Sequence, residues 1–187
     1  VKANRRLSIS SFKAESITAH YLGRFDPLKE TSRTKVVQDD IDGISVLGVG
    51  PNEWFISEIQ SYYTADDGFD LTNSHILLEK VKIQSPTEDG INLSSSYLEI
   101  LQSLTVNVTK TSTKDRDIFD FETDTSTDIH KPNRVEVDVL KIDEDLTHTY
   151  DSCLEGSFNL SGYGCENDFC DWLFNDFNRD STVIAHN

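Results

Sequence analysis

The clearest pattern in the chain is an alternation of apolar and charged residues over 134–143, which reads Arg-Val-Glu-Val-Asp-Val-Leu-Lys-Ile-Asp. Side chains alternate between the two faces of a β-strand, so this pattern predicts a strand with one buried and one solvent-exposed face. Residues 104–109, Leu-Thr-Val-Asn-Val-Thr, repeat the pattern. Such alternation is typical of antiparallel sheets that cover a core on one side, and we expect an antiparallel sheet.

Shorter apolar runs between turn residues predict the other strands. They lie at residues 7–11, 16–22, 44–49, 75–84, 97–109, 118–121 and 157–163. The run Trp54–Thr64 is ambiguous, because its apolar residues are spaced by four, which fits both a helix and a strand. Its aromatic residues favour a strand. The polar segments 23–42 and 123–132 predict loops.

One helix is predicted near the end of the chain. Asn167 suits an N-cap, and Phe169, Trp172, Leu173 and Phe177 follow at i, i+3, i+4 and i+8. This spacing gives an amphipathic helix of about three turns. The helix would cover the end of a sheet, or alternatively present an aromatic docking surface.

A short motif, Asp-Gly-apolar-polar-apolar, occurs three times. The copies are Asp42–Val46, Asp67–Leu71 and Asp89–Leu93, so similar intervals separate them along the chain. A β-solenoid would produce such a repeat. Three hairpin turns would also produce it, because Asp-Gly is a preferred turn pair, and we favour the hairpins.

These patterns predict a mainly β fold, an antiparallel β-sandwich or jelly-roll-like barrel with one C-terminal amphipathic helix. An α+β fold is the alternative if the run Trp54–Thr64 is helical. The 187 residues are expected to form a single β-rich domain, and 36% hydrophobic residues with ten Phe suffice for its core.

Charge is spread unevenly along the chain. The net charge is −16, yet residues 1–36 hold eight Lys and Arg against three acidic residues, so this segment is a candidate basic arm. The acidic remainder argues against nucleic-acid binding through the body of the protein. No apolar run approaches the roughly 20 residues of a membrane helix, so membrane insertion is not expected.

Metal and disulfide chemistry is weakly indicated. Cys165 and Cys170 could pair in an oxidising compartment and leave Cys153 free. Together with His148 the three cysteines are zinc-type ligands, but their spacing lacks the close pairs that pre-form such sites. We favour a solvated acidic strand edge over a calcium site for a second set of residues: Asp115, Asp117, Asp120, Glu122 and Asp124. We expect no metal and no cofactor.

Catalytic signatures are weak as well. Ser74 and His75 are adjacent, but neighbouring strand residues point to opposite faces and cannot readily meet. The sequence Gly48-Val-Gly50 runs into Pro51, which lacks the amide that a phosphate-binding loop would use. We therefore expect a protein that is not an enzyme. Paired carboxylates of a hydrolase remain an alternative, because an acidic chain offers many pairs.

Three functional hypotheses follow. The first is a non-enzymatic binding or assembly module, such as a viral coat or protruding domain or a receptor-binding surface domain. It associates with a protein partner or with itself through Tyr62, Tyr63 and Phe69, beside the polar segments 65–74 and 123–132. The second is an intracellular scaffold domain that binds a basic protein, and the third is a carboxylate-based hydrolase. The absence of Met and the start at Val1 favour a processed mature protein or an excised piece of a longer chain. We expect an extracellular or virion-surface location rather than a cytoplasmic one.

Overall fold

The computed structural model describes residues 11–23, 43–51, 53–107, 117–122, 132–142, 158–161, 174–175 and 181–187. Strands account for most of them. In chain order they are β1 Phe12–His20, β2 Ser45–Leu47, β3 Trp54–Tyr62, β4 Phe69–Thr72, β5 His75–Gln84, β6 Ile91–Ser94, β7 Tyr97–Asn107, β8 Phe119–Glu122, β9 Arg134–Ile142, β10 Phe158–Ser161, β11 Phe174–Asn175 and β12 Thr182–Ala185.

The strands form two sheets, and from β2 to β9 successive strands alternate between them. The long sheet has the order β1-β3-β5-β7-β9-β12-β10, and the short sheet has the order β11-β8-β6-β4-β2. Neighbours are parallel throughout, except that β10 is antiparallel to β12. Phe55 pairs with Leu77, and Leu77 pairs with Glu99 at the same interval along the chain. The chain therefore winds as a two-sheet coil, a β-solenoid.

The predicted antiparallel sandwich or jelly-roll-like barrel is wrong. Parallel sheets usually have both faces covered, which makes their strands continuously apolar. Here each parallel sheet packs one face on the other sheet and leaves its second face outside. The strands therefore keep the alternation that suggested antiparallel pairing, and alternation alone does not encode the direction of the neighbouring strand.

The core lies between the two sheets and is built from rows of stacked apolar residues. Ile56, Leu78 and Ile100 are register partners across three neighbouring strands of the long sheet, and all are buried. In the short sheet Leu71 and Leu93 stack in the same manner and are fully buried. Burying each such side chain contributes roughly 1.5–3 kcal/mol. Similar apolar side chains thus stack on one another, because successive coils keep the same register.

Alternation breaks at one point in each of several long strands. In β9 the predicted period of two would bury Val139, but Asp138 and Val139 both point outward and Leu140 is buried. Similar outward pairs occur at the same level in three other strands of the long sheet: Glu15 with Ser16 in β1, Ser57 with Glu58 in β3, and Glu79 with Lys80 in β5. Because these breaks share one level of the sheet, they place a doubled row of side chains along the axis of the solenoid.

The Asp-Gly motifs are corners of the coil and not hairpin turns. The Asp89 amide donates a hydrogen bond to Asp67 Oδ1 at 3.0 Å, and the Asp117 amide donates to Asp89 Oδ1 at 2.7 Å. The Gly68 amide donates to the Asp89 carbonyl at 3.0 Å. A Cβ on Gly68 would lie 2.6 Å from the Gly90 carbonyl oxygen, so glycine is needed where successive coils approach closely. The β-solenoid interpretation of the repeat is therefore correct, and the hairpin interpretation that we favoured is wrong.

The opposite corner holds a second polar stack inside the protein. The Val49 amide donates to Ser74 Oγ, the Ser74 amide donates to Ser96 Oγ, and the Ser96 amide donates to Asn133 Oδ1. The Asn133 amide continues the row by donating to Ser181 Oγ. Ser74, Ser96, Asn133 and Ser181 are buried, and each satisfies the amide of the preceding coil.

The predicted helix is wrong where it can be checked. Phe174 and Asn175, which lie inside it, form the strand β11 and pair with Phe119 and Asp120. The rest of the predicted helix lies outside the described residues, as do 7–10 and most of 123–132. By contrast β3 confirms the strand interpretation of the run that begins at Trp54, and β5 has the predicted bounds. No helix in the described part of the chain is long and apolar enough to cross a membrane.

Candidate binding surface

The structure separates the three predicted contact residues. Tyr62, the last residue of β3, is half-buried and points outward. Tyr63 follows it and is 45% exposed. Phe69 begins β4 and is 0% exposed in the core. Phe69 thus packs between the sheets and does not belong to a contact surface, whereas Tyr62 and Tyr63 remain available.

These two tyrosines belong to a larger patch that we call the aromatic corner, formed by His20, Tyr21, Leu22, Tyr62 and Tyr63. His20 and Tyr62 are stacked with ring centroids 4.7 Å apart and planes 8° apart. Tyr21 and Tyr63 are stacked at 5.3 Å and 12°. Of five exposed large hydrophobic residues in the described part of the chain, three lie here: Tyr21, Leu22 and Tyr63.

The backbone of the aromatic corner is strained. Tyr21 and Tyr63 both have φ of 55°, in the left-handed region that bulky residues rarely occupy. Their amides donate to the carbonyls of Tyr62 and Gln84, each at 2.9 Å, so the same corner recurs on successive coils. This conformation costs an L-residue roughly 1–2 kcal/mol. Glycine or asparagine would satisfy the same backbone at lower cost.

Sequence reasoning missed His20, Tyr21 and Leu22. They end the predicted strand 16–22, and nothing in that stretch indicated a contact surface. His20 lies beside Tyr62 because β1 and β3 pair in parallel register, although the two strands are far apart along the chain. Only a correct solenoid assignment would have aligned His20 and Tyr21 with Tyr62 and Tyr63.

Hydrogen bonds extend the aromatic corner along the outer face of β3. The Tyr62 hydroxyl donates to Gln60 Oε1 at 2.8 Å, and Gln60 Nε2 donates to Glu58 Oε1 at 2.8 Å. On the next strand Lys82 Nζ lies 5.6 Å from the centroid of the Tyr62 ring, within cation–π range. The side chains of β3 are therefore held in an ordered row from Tyr62 to Glu58.

The row ends at an open groove on the outer face of the long sheet. The groove has a volume of about 550 Å³. Its lining consists of the outward pairs of three neighbouring strands, Glu15, Ser16, Ser57, Glu58, Glu79 and Lys80. The doubled side chains form its walls, and each of these residues is polar or charged. Three carboxylates against one ammonium make the groove acidic.

A second polar cluster lies at the other end of the long sheet and is centred on Glu136. Glu136 Oε2 accepts hydrogen bonds from Arg134 at 2.7 Å and from the Tyr97 hydroxyl at 3.0 Å, and His186 Nε2 lies 3.6 Å from Oε1. The hydrogen bond from Arg134 lowers the pKa of Glu136. Burial, followed by the hydrogen bond and charge of Glu136, raises the pKa of Tyr97 to about 12. Since its members lie on β7, β9 and the end of β12, the cluster fastens three strands together.

Where the structure describes them, the catalytic and metal candidates do not assemble. Ser74 is buried, and its hydroxyl donates to the Thr72 carbonyl at 2.9 Å, whereas the His75 ring lies against Tyr97 on the outer face, with centroids 4.4 Å apart and planes tilted by 35°. The two side chains point apart, as alternation requires. Among the described residues no three His, Cys, Asp or Glu are placed to hold a metal ion. His148 and the three cysteines lie outside those residues, as do Asp115 and Asp124.

Comparison with protein-family models, with curated proteins and with solved structures finds no match to this chain.

Proposed function

We propose that this protein is a binding module that acts without catalysis and contacts a protein partner through the aromatic corner. The observation that carries the proposal is the conformation of Tyr21 and Tyr63. Both are exposed, at 74% and 45%, and both hold a strained left-handed backbone that a smaller residue would occupy more cheaply. The stacking of the two rings contributes about 0.5–1.5 kcal/mol, which offsets only part of the cost of two left-handed residues.

The chemistry of the aromatic corner suits a protein interface. Tyrosine is enriched among the residues that dominate binding energy, because it offers a large rigid surface with a polar end. The stacked rings are already ordered, so binding would fix few additional side-chain rotations. Polar side chains of Gln60 and Lys82 border the rings, which matches the usual arrangement of an apolar centre and a polar rim.

A catalytic role for the outer groove finds less support than a binding role. Electrostatic catalysis is strongest where water is excluded. The groove carboxylates stand instead on an open sheet face, among exposed and half-buried side chains. The proposal does not extend to a viral coat, because the sandwich fold that motivated this hypothesis is wrong.

Site-specific photo-crosslinking tests the proposal. A photoreactive phenylalanine analogue is placed at Tyr21 or at Tyr63 in the full chain, and irradiation is carried out in the cells from which the chain comes. The matched control carries the analogue at Leu101, which is 45% exposed on β7, two strands away from β3 in the sheet. We expect one protein to be joined at both tyrosine positions and not at Leu101. Equal products at all three positions, or none, would refute the proposal; a crosslink to a second copy would identify self-association instead.

A double variant then separates binding from folding. Tyr21→Asn with Tyr63→Asn keeps the left-handed corner and should leave thermal stability unchanged or raise it by a few degrees. The same variant should weaken binding of the purified crosslinked protein at least tenfold, since truncation of interface hot spots commonly costs about 2 kcal/mol or more. Unaltered affinity in a folded variant would contradict the assignment of the aromatic corner.

A further inference from the structure

We infer that the partner presents an extended segment bearing lysine or arginine, which lies along β1 and β3 from the aromatic corner to the groove. This inference rests on the proposed function and specifies the chemistry of its partner. Three features carry it: a π surface at one end, carboxylates at the other, and lysines along one side.

The aromatic end is suited to a cation. Tyr63 covers one face of the Tyr21 ring, and β1 is the terminal strand of the long sheet. Tyr21 is 74% exposed, so much of its surface is accessible to a partner. A guanidinium or ammonium group above a tyrosine ring is attracted by the negative π face. The neighbouring Tyr62 ring already has such a contact with Lys82.

The groove end carries the complementary charge. Glu15 and Glu58 lie on β1 and β3, and Ser16 is the register partner of Glu58. None of the ion pairs among the described residues engages Glu15 or Glu58. The chain as a whole has a net charge of −16, which attracts a basic segment and repels an acidic one.

Two lysines limit the path of the segment on the far side. Lys80 and Lys82 lie on β5, where Lys80 is the register partner of Glu58 and Lys82 that of Gln60. The ammonium groups of Lys80 and Lys82 repel a basic segment, whereas Glu79 on the same strand adds a carboxylate to the groove. We therefore place the segment over β1 and β3, with its basic side chains towards the groove. From Glu15 to His20 is five residues of strand, or roughly 16 Å at about 3.3 Å per residue. An extended segment of about six residues reaches both ends.

Direct titration tests the inference. The probe is a fluorescein-labelled nonapeptide that alternates arginine with serine, and its match is the same peptide with glutamate in place of arginine. Fluorescence anisotropy with the full chain is measured at low and at physiological ionic strength. We expect saturable binding of the arginine peptide that weakens severalfold with added salt, and no binding of the glutamate peptide.

Variants locate the bound peptide. Glu15→Gln with Glu58→Gln should weaken binding roughly two- to tenfold, in line with about 0.2–1 kcal/mol for each exposed charge pair. Glu99→Gln, which removes a carboxylate from β7 of the same sheet, is the control and should leave the affinity unchanged. Lys80→Gln should strengthen binding, because it removes a positive charge that repels the arginine peptide. Tyr21→Asn should weaken it.

The outcomes distinguish this inference from the proposed function. Equal binding of the two peptides, no binding of either, or equal losses for Glu99→Gln and the double variant would overturn the basic-segment inference. In any of these cases a crosslink at Tyr21 and Tyr63 would still support a partner of other chemistry. If no crosslink forms and Tyr21→Asn leaves the affinity for the peptide unchanged, both the proposed function and the basic-segment inference are refuted.

Discussion

At the residue scale, single side chains in this fold serve more than one coil. Glu136 bonds to Arg134 on its own strand and to Tyr97 on the neighbouring strand. Asp67 and Asp89 each accept the amide of the aspartate one coil later. Replacing such a residue therefore removes contacts between successive coils, and the loss is measurable as a lower free energy of unfolding.

Glu136 should make stability depend on pH at both extremes. Its pKa is lowered, chiefly by the hydrogen bond from Arg134, so its contribution is present above the ordinary pKa of glutamate and lost as pH falls through the lowered value. The pKa of Tyr97 is raised to about 12, so its contribution is present below about pH 10 and lost as pH rises towards 12.

The variant Glu136→Gln tests this linkage. Removing the charge should lower the Tyr97 pKa partway towards 10 and leave the part that burial causes, as measured by tyrosinate absorbance. Because Arg134 is 47% exposed, the loss of stability should be only about 0.5 kcal/mol. A Tyr97 titration identical in both proteins would contradict the role of Glu136.

Asp89 offers a sharper residue-scale test. Asp89→Ala leaves the buried Asp117 amide without its acceptor at 2.7 Å and should lower the free energy of unfolding by about 1–3 kcal/mol. Asp89→Asn keeps an acceptor oxygen and should cost less. Urea denaturation measures both. Equal losses would show that charge, and not the hydrogen bond, matters at this corner.

At the scale of elements, the chain sequence predicts strands well and their partners poorly. β5 spans the predicted residues, and the predicted 134–143 strand ends one residue earlier, at Ile142. Strand direction and pairing depend on contacts between residues of different coils, which are far apart along the chain, and no local pattern records such contacts. The repeated Asp-Gly motif is the exception, because its copies mark positions that lie next to one another on successive coils. The motif continues as Asp117-Ile-Phe-Asp-Phe121, with isoleucine at the glycine position.

The candidate surface shows the same limit. Tyr62 and Tyr63 were identifiable as adjacent aromatic residues. The local sequence does not show which aromatic side chains are exposed, and Phe69, which was predicted on the same grounds, is buried. The predicted helix is wrong at Phe174 and Asn175, because a local apolar spacing does not record which distant strand a residue pairs with. In the structure Phe174 is the register partner of Phe119 in a parallel strand pair.

The requirement for glycine at residue 68, in the corner before β4, can be tested. In Gly68→Ala the new Cβ would lie 2.3 Å from Ile83 Cγ2 and 2.6 Å from the Gly90 carbonyl oxygen, so the coils must separate. We expect a loss of about 1–3 kcal/mol in unfolding free energy. The control is Gly50→Ala, where the nearest atoms belong to the flexible Glu53 carboxylate at 3.1–3.3 Å. Similar melting of both variants would show that the coil spacing adapts.

At the scale of the whole molecule, stability should behave as a sum over coils and their contacts. Phe69 and Ile91 occupy equivalent positions on successive coils, where they are register partners. Deleting residues 69–90 removes one complete coil and lets β7 pair with β3. We expect a folded protein with a cooperative but lower thermal transition, followed by circular dichroism.

The matched control removes residues 69–79, which is half a coil. This deletion would direct long-sheet residues into the short sheet and expose apolar rows on the outside, so no cooperative transition is expected. A whole-coil deletion that is equally unfolded would show that the coils are not interchangeable units and would contradict the additive description.

The unequal spacing of the register partners has a consequence for how such a chain changes over generations. The interval along the chain is short from Phe55 to Leu77, longer from Asn92 to Asp120 and longer again from Tyr97 to Arg134, yet each pair meets in register. Extra residues between strands thus add only a slowly growing loop-closure cost. Insertions in those intervals should therefore leave the stacked rows in register, so the chain can gain length between its strands without repacking its core.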